Sequence, residues 1–364
     1  MTRLRRVVAP VTVLVALLAG GFAIGRALLP AGRTAVVASA TTPTPATHAT
    51  SADRLLARCR LDETFGCYQR QLRTIVDSQD PAVALDAIGR LYVTDSFVRT
   101  TCHPIVHEIG HLAFDRYRSV TKAEQYARET CWSGYHHGIM EKYISRFDDR
   151  QLIRRISRIC PPDPKHPYSL AYYNCWHGLG HGLTIRFGQH VFRSLAFCKA
   201  ISHDWERQSC YSGVFMQNIV ADGSGMHVAV DLRPSDPIYP CDHVATDQRQ
   251  PCFLMQTSYV LRVLRWDIPK AFAVCDGVRS AFVGTCYRSM GRDISGAATL
   301  EPQTIVRECA LGATRHRADC IAGAAANAVY DRHGTAQGDA LCAIVASVDR
   351  ARCRTAVATA AETL

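Results

Sequence analysis

The stretch AFAVCDGVRSAFVGTCYRSMG, residues 271–291, places two cysteines eleven residues apart between apolar segments of helical period. This spacing recurs from residue 241 to the end of the chain. The pairs are Cys241/Cys252, Cys275/Cys286, Cys309/Cys320 and Cys342/Cys353, whose first members advance by 34, 34 and 33 residues. A fixed period of 33–34 residues is typical of a helical repeat array. We predict a helical hairpin for each pair, with the first cysteine ending one helix and the second opening the next.

Earlier cysteines extend the pattern toward the N-terminus. Cys198/Cys210 are twelve residues apart and Cys160/Cys175 are fifteen apart. Apolar residues around the eleven-residue pairs recur near every 3.6 residues, and little of that region alternates with the period of a strand. The predicted fold class is all-α. It is an α-solenoid-like array of about seven or eight disulfide-stapled helical hairpins behind an N-terminal membrane segment.

The chain contains sixteen cysteines, a number that in a protein of this size indicates either metal sites or disulfides. Zinc sites favour cysteines separated by two to four residues, and no such pair occurs here. Disulfides formed in an oxidising compartment are therefore expected. We pair Cys59 with Cys67 and Cys102 with Cys131, although spacing alone does not fix the connectivity of these four.

The N-terminus carries a membrane-targeting pattern, in which Arg3, Arg5 and Arg6 precede an apolar run over residues 7–24. Residues 1–26 are predicted to be a signal-anchor or a signal peptide, and residues 27–52 a Thr/Ala/Pro-rich stalk. Residues 53–192 follow as repeats carrying histidines, and residues 193–364 as repeats with the eleven-residue spacing. The expected location is the cell membrane, with a single pass through the N-terminal helix and an extracytoplasmic C-terminal domain; the alternative is a secreted protein.

The charge balance argues against a nucleic-acid partner. Lys and Arg number 42 against 32 Asp and Glu, a net charge of +10, but the residues before 53 contribute five arginines and no acid. No cluster of basic and aromatic residues stands out in the remainder.

Histidines concentrate in three segments that begin with a cysteine: CHPIVHEIGHLAF (102–114), CWSGYHHGIMEKY (131–143) and CWHGLGHGL (175–183). Each contains two metal-competent side chains four residues apart, which share one face of a helix. His137 and His181 both lie six residues after their cysteine, and Met216 holds that position after Cys210. Equivalent positions of a repeat array line up, so the pairs of three successive helices should meet.

These pairs predict a site for one or two transition metals, Zn, Cu or Fe. The predicted metal ligands are His107, His111, His137, His177 and His181, with Glu108 and Glu141 as catalytic residues, each a ligand or a base. The arrangement resembles the paired ligands of helical di-metal proteins. Non-covalent haem held by two histidines is the alternative cofactor.

Glycines also recur at matched positions of these segments. Gly134, Gly178 and Gly213 each lie three residues after a cysteine. Because glycine weakens a helix, this repetition indicates close approach, either by another helix or by a bound group.

His107-Glu108-Ile109-Gly110-His111 matches the HExxH motif and in these five residues resembles a zinc metalloprotease of the zincin type. The resemblance implies that His107 and His111 bind zinc and that Glu108 is the general base. Two features depart from it: no extended third-histidine motif follows, and residues 177–181 repeat the two histidines with Gly178 in place of the glutamate.

Two functions from different classes follow from these patterns. The first is an extracytoplasmic metalloenzyme, oxidative or hydrolytic, with a mono- or dinuclear His/Glu site; a zincin-like protease is a further variant of it. The second is a helical-repeat scaffold with structural histidines, which would bind a protein partner on the concave face of the array.

Overall fold

The computed structural model describes residues 50–128, 130–131, 133–160, 168–224 and 228–364. The predicted membrane segment and nearly all of the predicted stalk lie outside these residues. None of the helices in the described part is both long enough and apolar enough to span a membrane.

The described chain consists of helices and the connections between them, and it contains no strand. The α-helices are α1 (Ser51–Ala57), α2 (Phe65–Ser78), α3 (Pro81–Thr94), α4 (Ser96–Tyr117), α5 (Val120–Glu124), α6 (Gly134–Ile144), α7 (Asp149–Ile159), α8 (Leu170–Arg186), α9 (Val191–Cys198), α10 (Asp204–Ser224), α11 (Thr246–Val263), α12 (Ile268–Asp276), α13 (Ser280–Ala297), α14 (Pro302–Cys309), α15 (Arg317–Arg332), α16 (Ala336–Ile344) and α17 (Ser347–Ala361). A 3-10 turn, Thr314–His316, precedes α15. The predicted all-α class is confirmed.

Side-chain caps in the sequence explain where the site-bearing helices begin. Asp95 accepts a hydrogen bond from the backbone N–H of Val98 at the start of α4. Ser169 accepts one from the backbone N–H of Tyr172 at the start of α8. Such caps satisfy N–H groups that have no partner within the helix, so both helices start at a fixed residue.

The long helices α4, α6, α8, α10, α11, α13, α15 and α17 form a row in which each packs against the next. Short helices α5, α9, α12, α14 and α16 lie beside the long helix that follows them. The result is a repeat-like succession of short and long helices. The described residues belong to a single compact unit.

All sixteen cysteines are paired in disulfides. The pairs are Cys59–Cys67, Cys102–Cys131, Cys160–Cys175, Cys198–Cys210, Cys241–Cys252, Cys275–Cys286, Cys309–Cys320 and Cys342–Cys353. The predicted pairing is confirmed throughout, including the two pairs that spacing alone left open. Cys102–Cys131 differs from the later bridges, because it links α4 to the segment that leads into α6 instead of closing a short hairpin.

Glycines set the spacing between long helices. A Cβ on Gly138 of α6 would overlap the carbonyl oxygen of His107, and one on Gly110 of α4 would overlap that of Tyr135. The same reciprocal arrangement joins α8 to α10 through Gly180 and Gly213, and α13 to α15 through Gly291 and Gly323. Of the glycines singled out in the sequence, Gly213 is approached by the backbone of the neighbouring helix. Gly134 lies against the Val106 side chain and the His103 backbone, and Gly178 against the Met140 side chain.

The row curls until its last residues meet α8. The backbone N–H of Leu170 donates to the carbonyl oxygen of Thr363 over 2.6 Å. The hydroxyl groups of Thr363 and Tyr330 lie 3.4 Å apart. The C-terminus of the chain thus packs beside the first turn of a site-bearing helix.

Candidate metal centre

Helices α4, α6 and α8 bring their polar pairs into one buried group. We call it the histidine cluster, and it consists of His103, His107, His137, Glu141, His177 and His181. Exposure of these residues ranges from 0% for His181 to 7% for His103. Polar side chains buried this deeply are costly unless protein groups or a bound ion satisfy them.

His137 lies in the middle of the cluster. Its ring centre is 4.6 Å from that of His181, 4.8 Å from His177, 5.3 Å from His103 and 5.4 Å from His107. Both of its ring nitrogens are buried, and neither has a hydrogen-bond partner in the described part of the chain. Since a buried imidazole normally has at least one partner, His137 has an unused lone pair on one ring nitrogen and an unused N–H on the other.

His103 and His107, the two cluster histidines of α4, are oriented by groups outside the pair. Nδ1 of His103 donates to the carbonyl oxygen of Cys131 over 2.8 Å, which fixes the proton on Nδ1 because a carbonyl only accepts. Nδ1 of His107 lies 2.9 Å from Oε1 of Glu141, within ion-pair distance. The Nε2 atom of His103, which then carries a lone pair, faces Nε2 of His107 at 2.9 Å. At this distance a proton or a metal ion must lie between the two nitrogens.

His177 and His181, the two cluster histidines of α8, are oriented by side chains of α8 itself and of α10. Nδ1 of His181 lies 2.9 Å from Oε1 of Gln217, and Nδ1 of His177 lies 2.9 Å from the hydroxyl of Tyr173. That hydroxyl is 2.8 Å from Oγ of Ser212. The Nε2 atoms of the pair are 3.2 Å apart. Metal–nitrogen bonds of 2.0–2.1 Å in tetrahedral geometry place two ligand nitrogens about 3.3 Å apart, close to this separation.

Glu141 connects the cluster to the outside through His111. Oε1 of Glu141 lies 2.9 Å from Nδ1 of His107 and 3.7 Å from Nδ1 of His181. Oε2 lies 2.6 Å from Nε2 of His111, whose side chain is 28% exposed. Because this carboxylate faces three histidines, it is the main negative charge available to balance a bound cation.

The electrostatics of the cluster favour the forms that bind metals. Burial, followed by the neighbouring histidines, lowers the pKa of His103, His137 and His177 well below its ordinary value. Burial and His107 lower the pKa of His181 to about 4. Burial alone would raise the pKa of Glu141, but attraction to His107 and hydrogen bonds to two histidines hold it well below its usual range. Four neutral imidazoles and an ionised carboxylate need lose no proton to bind a metal.

Three overlapping groups have ligand atoms close enough to share an ion. They are His103/His107/His137, His137/His177/His181 and His107/Glu141/His181, with the ligand atoms of each group within 4.8 Å of one another. Of the predicted site residues, the structure brings together His107, His137, His177, His181 and Glu141. His111 and Glu108 belong to no such group among the described residues.

The HExxH residues do not converge on one point. His107 faces the cluster, whereas His111 binds Glu141 through Nε2 and lies 3.6 Å from Oε2 of Glu108 through Nδ1. Glu108 also accepts a hydrogen bond from Nε2 of Gln69 over 3.3 Å. It lines a surface cavity of about 350 Å³ that Gly66, Gln69, Arg70 and Arg73 complete. In a zincin both histidines of the motif bind one metal, so the resemblance does not extend to this geometry.

Three contributors to the site were not singled out as site residues from the sequence. His103 lies one turn before His107, so helical spacing from the predicted ligands could have identified it. The Sδ atom of Met216 lies 3.4 Å from Nε2 of His177. The sequence distinguished Met216 only by its position six residues after a cysteine. Gln217 orients His181, and nothing in the sequence distinguishes it from a surface glutamine.

The glycine contacts bear on the haem alternative. The backbones of α4 and α6 touch at Gly110 and Gly138, and Gly178 of α8 lies against Met140 of α6. A porphyrin needs a slot between helices, and at these contacts the helices leave none. The arrangement suits single metal ions held between side chains.

Comparison of the chain with protein-family models, with curated proteins and with solved structures finds no match.

Proposed function

We propose that this protein is an extracytoplasmic metalloprotein whose histidine cluster binds one or two transition-metal ions for redox chemistry on small molecules. The observation that carries the proposal is the pairing of Nε2 atoms at 2.9 Å and 3.2 Å around a histidine with no partner of its own. Packing alone would place apolar side chains here, because an unsatisfied buried polar group costs about 1–3 kcal/mol.

Burial of the cluster favours an oxidative function over a hydrolytic one. Its most exposed member is His103 at 7%. A peptide or other polymer could not reach a metal at this depth without opening the helices, whereas an electron or a molecule the size of dioxygen could. The imidazole-rich ligand set is compatible with copper, iron and zinc, and the first two support redox chemistry.

The proposed location rests on the disulfides and on the N-terminal pattern. Eight disulfides indicate an oxidising compartment outside the cytoplasm. We propose that the apolar run of residues 7–24 anchors the protein in the membrane as a single pass. The site would then face the oxidising side.

The test is the metal content of the full chain, produced in an oxidising compartment and analysed for Zn, Cu and Fe. We expect one or two equivalents in the wild type and a loss of most of it in His137→Gln. His190→Gln, which changes an exposed histidine outside the cluster, is the matched control and should retain the wild-type content. A folded wild-type protein that binds no metal after reconstitution would instead support the scaffold function.

A further inference from the structure

Met216 occupies the same repeat position in α10 as the cluster histidines do in α6 and α8. It lies six residues after Cys210, as His137 follows Cys131 and His181 follows Cys175. The row of helices therefore presents a thioether where the preceding two helices present imidazoles. Its Sδ lies 3.4 Å from Nε2 of His177.

We propose that Met216 is a metal ligand and that, with His177 and His181 and completed by His137, it forms a copper-selective subsite at the α8/α10 end of the cluster. This inference rests on the proposed function and names the metal at one part of the site. Thioether sulfur is a soft ligand that favours Cu(I) and is poorly suited to zinc or iron in competition with imidazole.

The distances fit a common ion. Metal–nitrogen bonds of 2.0–2.1 Å and metal–sulfur bonds of about 2.3 Å place nitrogen and sulfur about 3.6 Å apart at a tetrahedral angle. The observed separation between Nε2 of His177 and Sδ of Met216 is 3.4 Å, and that between the Nε2 atoms of His177 and His181 is 3.2 Å. Both observed separations are therefore those expected if His177 shares an ion with Met216 and with His181.

Helix α10 contributes both the sulfur and the groups that aim the imidazoles at it. Gln217, adjacent to Met216, contacts Nδ1 of His181, and Ser212 contacts the Tyr173 hydroxyl that holds Nδ1 of His177. Gln217 and Ser212 are 3% and 5% exposed. Outer hydrogen bonds to the far ring nitrogen are the usual way in which proteins orient metal-binding histidines.

The opposite end of the cluster has a different chemistry. There Glu141 stands beside His107, and a carboxylate with imidazoles suits zinc or iron better than Cu(I). The thioether end and the carboxylate end thus make the two ends of the cluster chemically unequal, and copper selectivity is assigned only to the former.

The test is X-ray absorption at the copper edge on the full chain loaded with Cu(I), together with a competitive Cu(I) titration. We expect a sulfur neighbour in the wild type that disappears in Met216→Leu, with Cu(I) affinity lowered at least about tenfold. Met140→Leu is the matched control, because Met140 is buried on α6 with its sulfur near Cys175, and it should retain both properties. Leucine is close to methionine in volume, so both variants should fold.

The outcomes separate this inference from the proposed function. A wild type that binds no metal overturns both. A wild type that binds copper through nitrogen alone, with affinity unchanged in Met216→Leu, overturns the role of Met216 and leaves the metal centre in place; the sulfur would then only accept a hydrogen bond from His177. A site that binds zinc in preference to Cu(I) overturns copper selectivity.

Discussion

The N-terminal and C-terminal halves of the row share one architecture but differ in how their buried polar groups are paired. In the C-terminal half, the position six residues after the cysteine is Ser258 on α11 and Arg292 on α13, and the Arg292 guanidinium donates to Oγ of Ser258 over 2.9 Å. Asp293 accepts from the hydroxyls of Thr257 and Ser258 over 2.6 and 2.9 Å. Each of these donors has an acceptor. In the histidine cluster, by contrast, His137 has no partner for either ring nitrogen, and Nε2 atoms face each other in two histidine pairs.

Glycine contacts are common to both halves, and this separates packing from function. Gly291 and Gly323 join α13 to α15 as closely as Gly110 and Gly138 join α4 to α6, with no histidine nearby in the first case. Close helix approach is therefore a property of the array. The unpartnered His137 and the facing Nε2 pairs lie in the first half of the described row, which is why we assign them to a ligand.

The largest difference expected between the two halves is in how a bound metal ion changes the free energy of unfolding. A ligand present at 1,000 times its dissociation constant stabilises the folded state by about 4 kcal/mol. Cu(I) should raise the unfolding midpoint of the wild type and of Arg292→Lys, but not that of His177→Gln/His181→Gln. Chemical denaturation with and without chelator checks this. Equal metal responses in all three proteins would contradict the division between the halves.

Disulfides of the two halves should also differ in whether their removal affects metal binding. Removing the Cys309–Cys320 bridge by serine substitution should cost about 2–4 kcal/mol of unfolding free energy and leave metal content unchanged. Removing Cys102–Cys131 should also lower metal affinity, by about 10- to 100-fold, because the carbonyl of Cys131 holds His103. Denaturation curves and metal titration of the two double variants give the comparison. Unchanged metal affinity without the Cys102–Cys131 bridge would show that His103 needs no such support.

Paired glycine substitutions separate packing from metal binding. Gly138→Ala and Gly323→Ala each force a Cβ onto the backbone of the neighbouring helix, so each should lose about 2–3 kcal/mol of stability. Only Gly138→Ala should also lose metal, because the displaced backbone is that of His107. Gly66→Ala, whose Cβ would lie 3.6 Å from Nη1 of Arg70, is the control. If Gly323→Ala lost as much metal, the two halves would be coupled.

The smallest expected effect is the pH dependence contributed by His111. Burial alone would lower its pKa, but hydrogen bonds to Glu108 and Glu141 raise it to about 9. Because the folded-state pKa is above the unfolded value, the stabilisation is complete below about pH 6.5 and is lost as the pH rises through about 9. For a side chain that is 28% exposed, we expect about 1–2 kcal/mol after allowance for solvent screening.

Urea denaturation of the chelated protein at pH 6.5 and pH 9 measures this contribution. The wild type should lose more stability between the two values than His111→Gln does. Equal losses would mean that the ion pair with Glu141 adds nothing measurable.

The fold could be predicted from the sequence because its main signal is local. A cysteine pair every 33–34 residues fixes both the helical unit and its bridge, and the predicted pairs are those observed. Curling of the row could not be predicted, since it depends on small rotations between helices that bring Leu170 beside Thr363.

The composition of the cluster could be predicted only in part, for a geometric reason. His103, His107 and His111 lie on one face of α4 and span about 12 Å along its axis, given a rise of 1.5 Å per residue. Two of the three can reach one metal position, and which two do so depends on how far α6 is shifted along the axis of α4. The contact between Gly110 and Gly138 sets that shift. The spacing of residues within a single helix carries no information about it.

The most direct test of the account is an anomalous difference map from crystals of the metal-loaded protein, collected at the absorption edge of the bound metal. The account predicts a peak inside the histidine cluster, about 2.0–2.1 Å from Nε2 of His177 and His181 or of His103 and His107. A peak at exposed histidines such as His190 or His243, with none in the cluster of a fully ordered molecule, would contradict it.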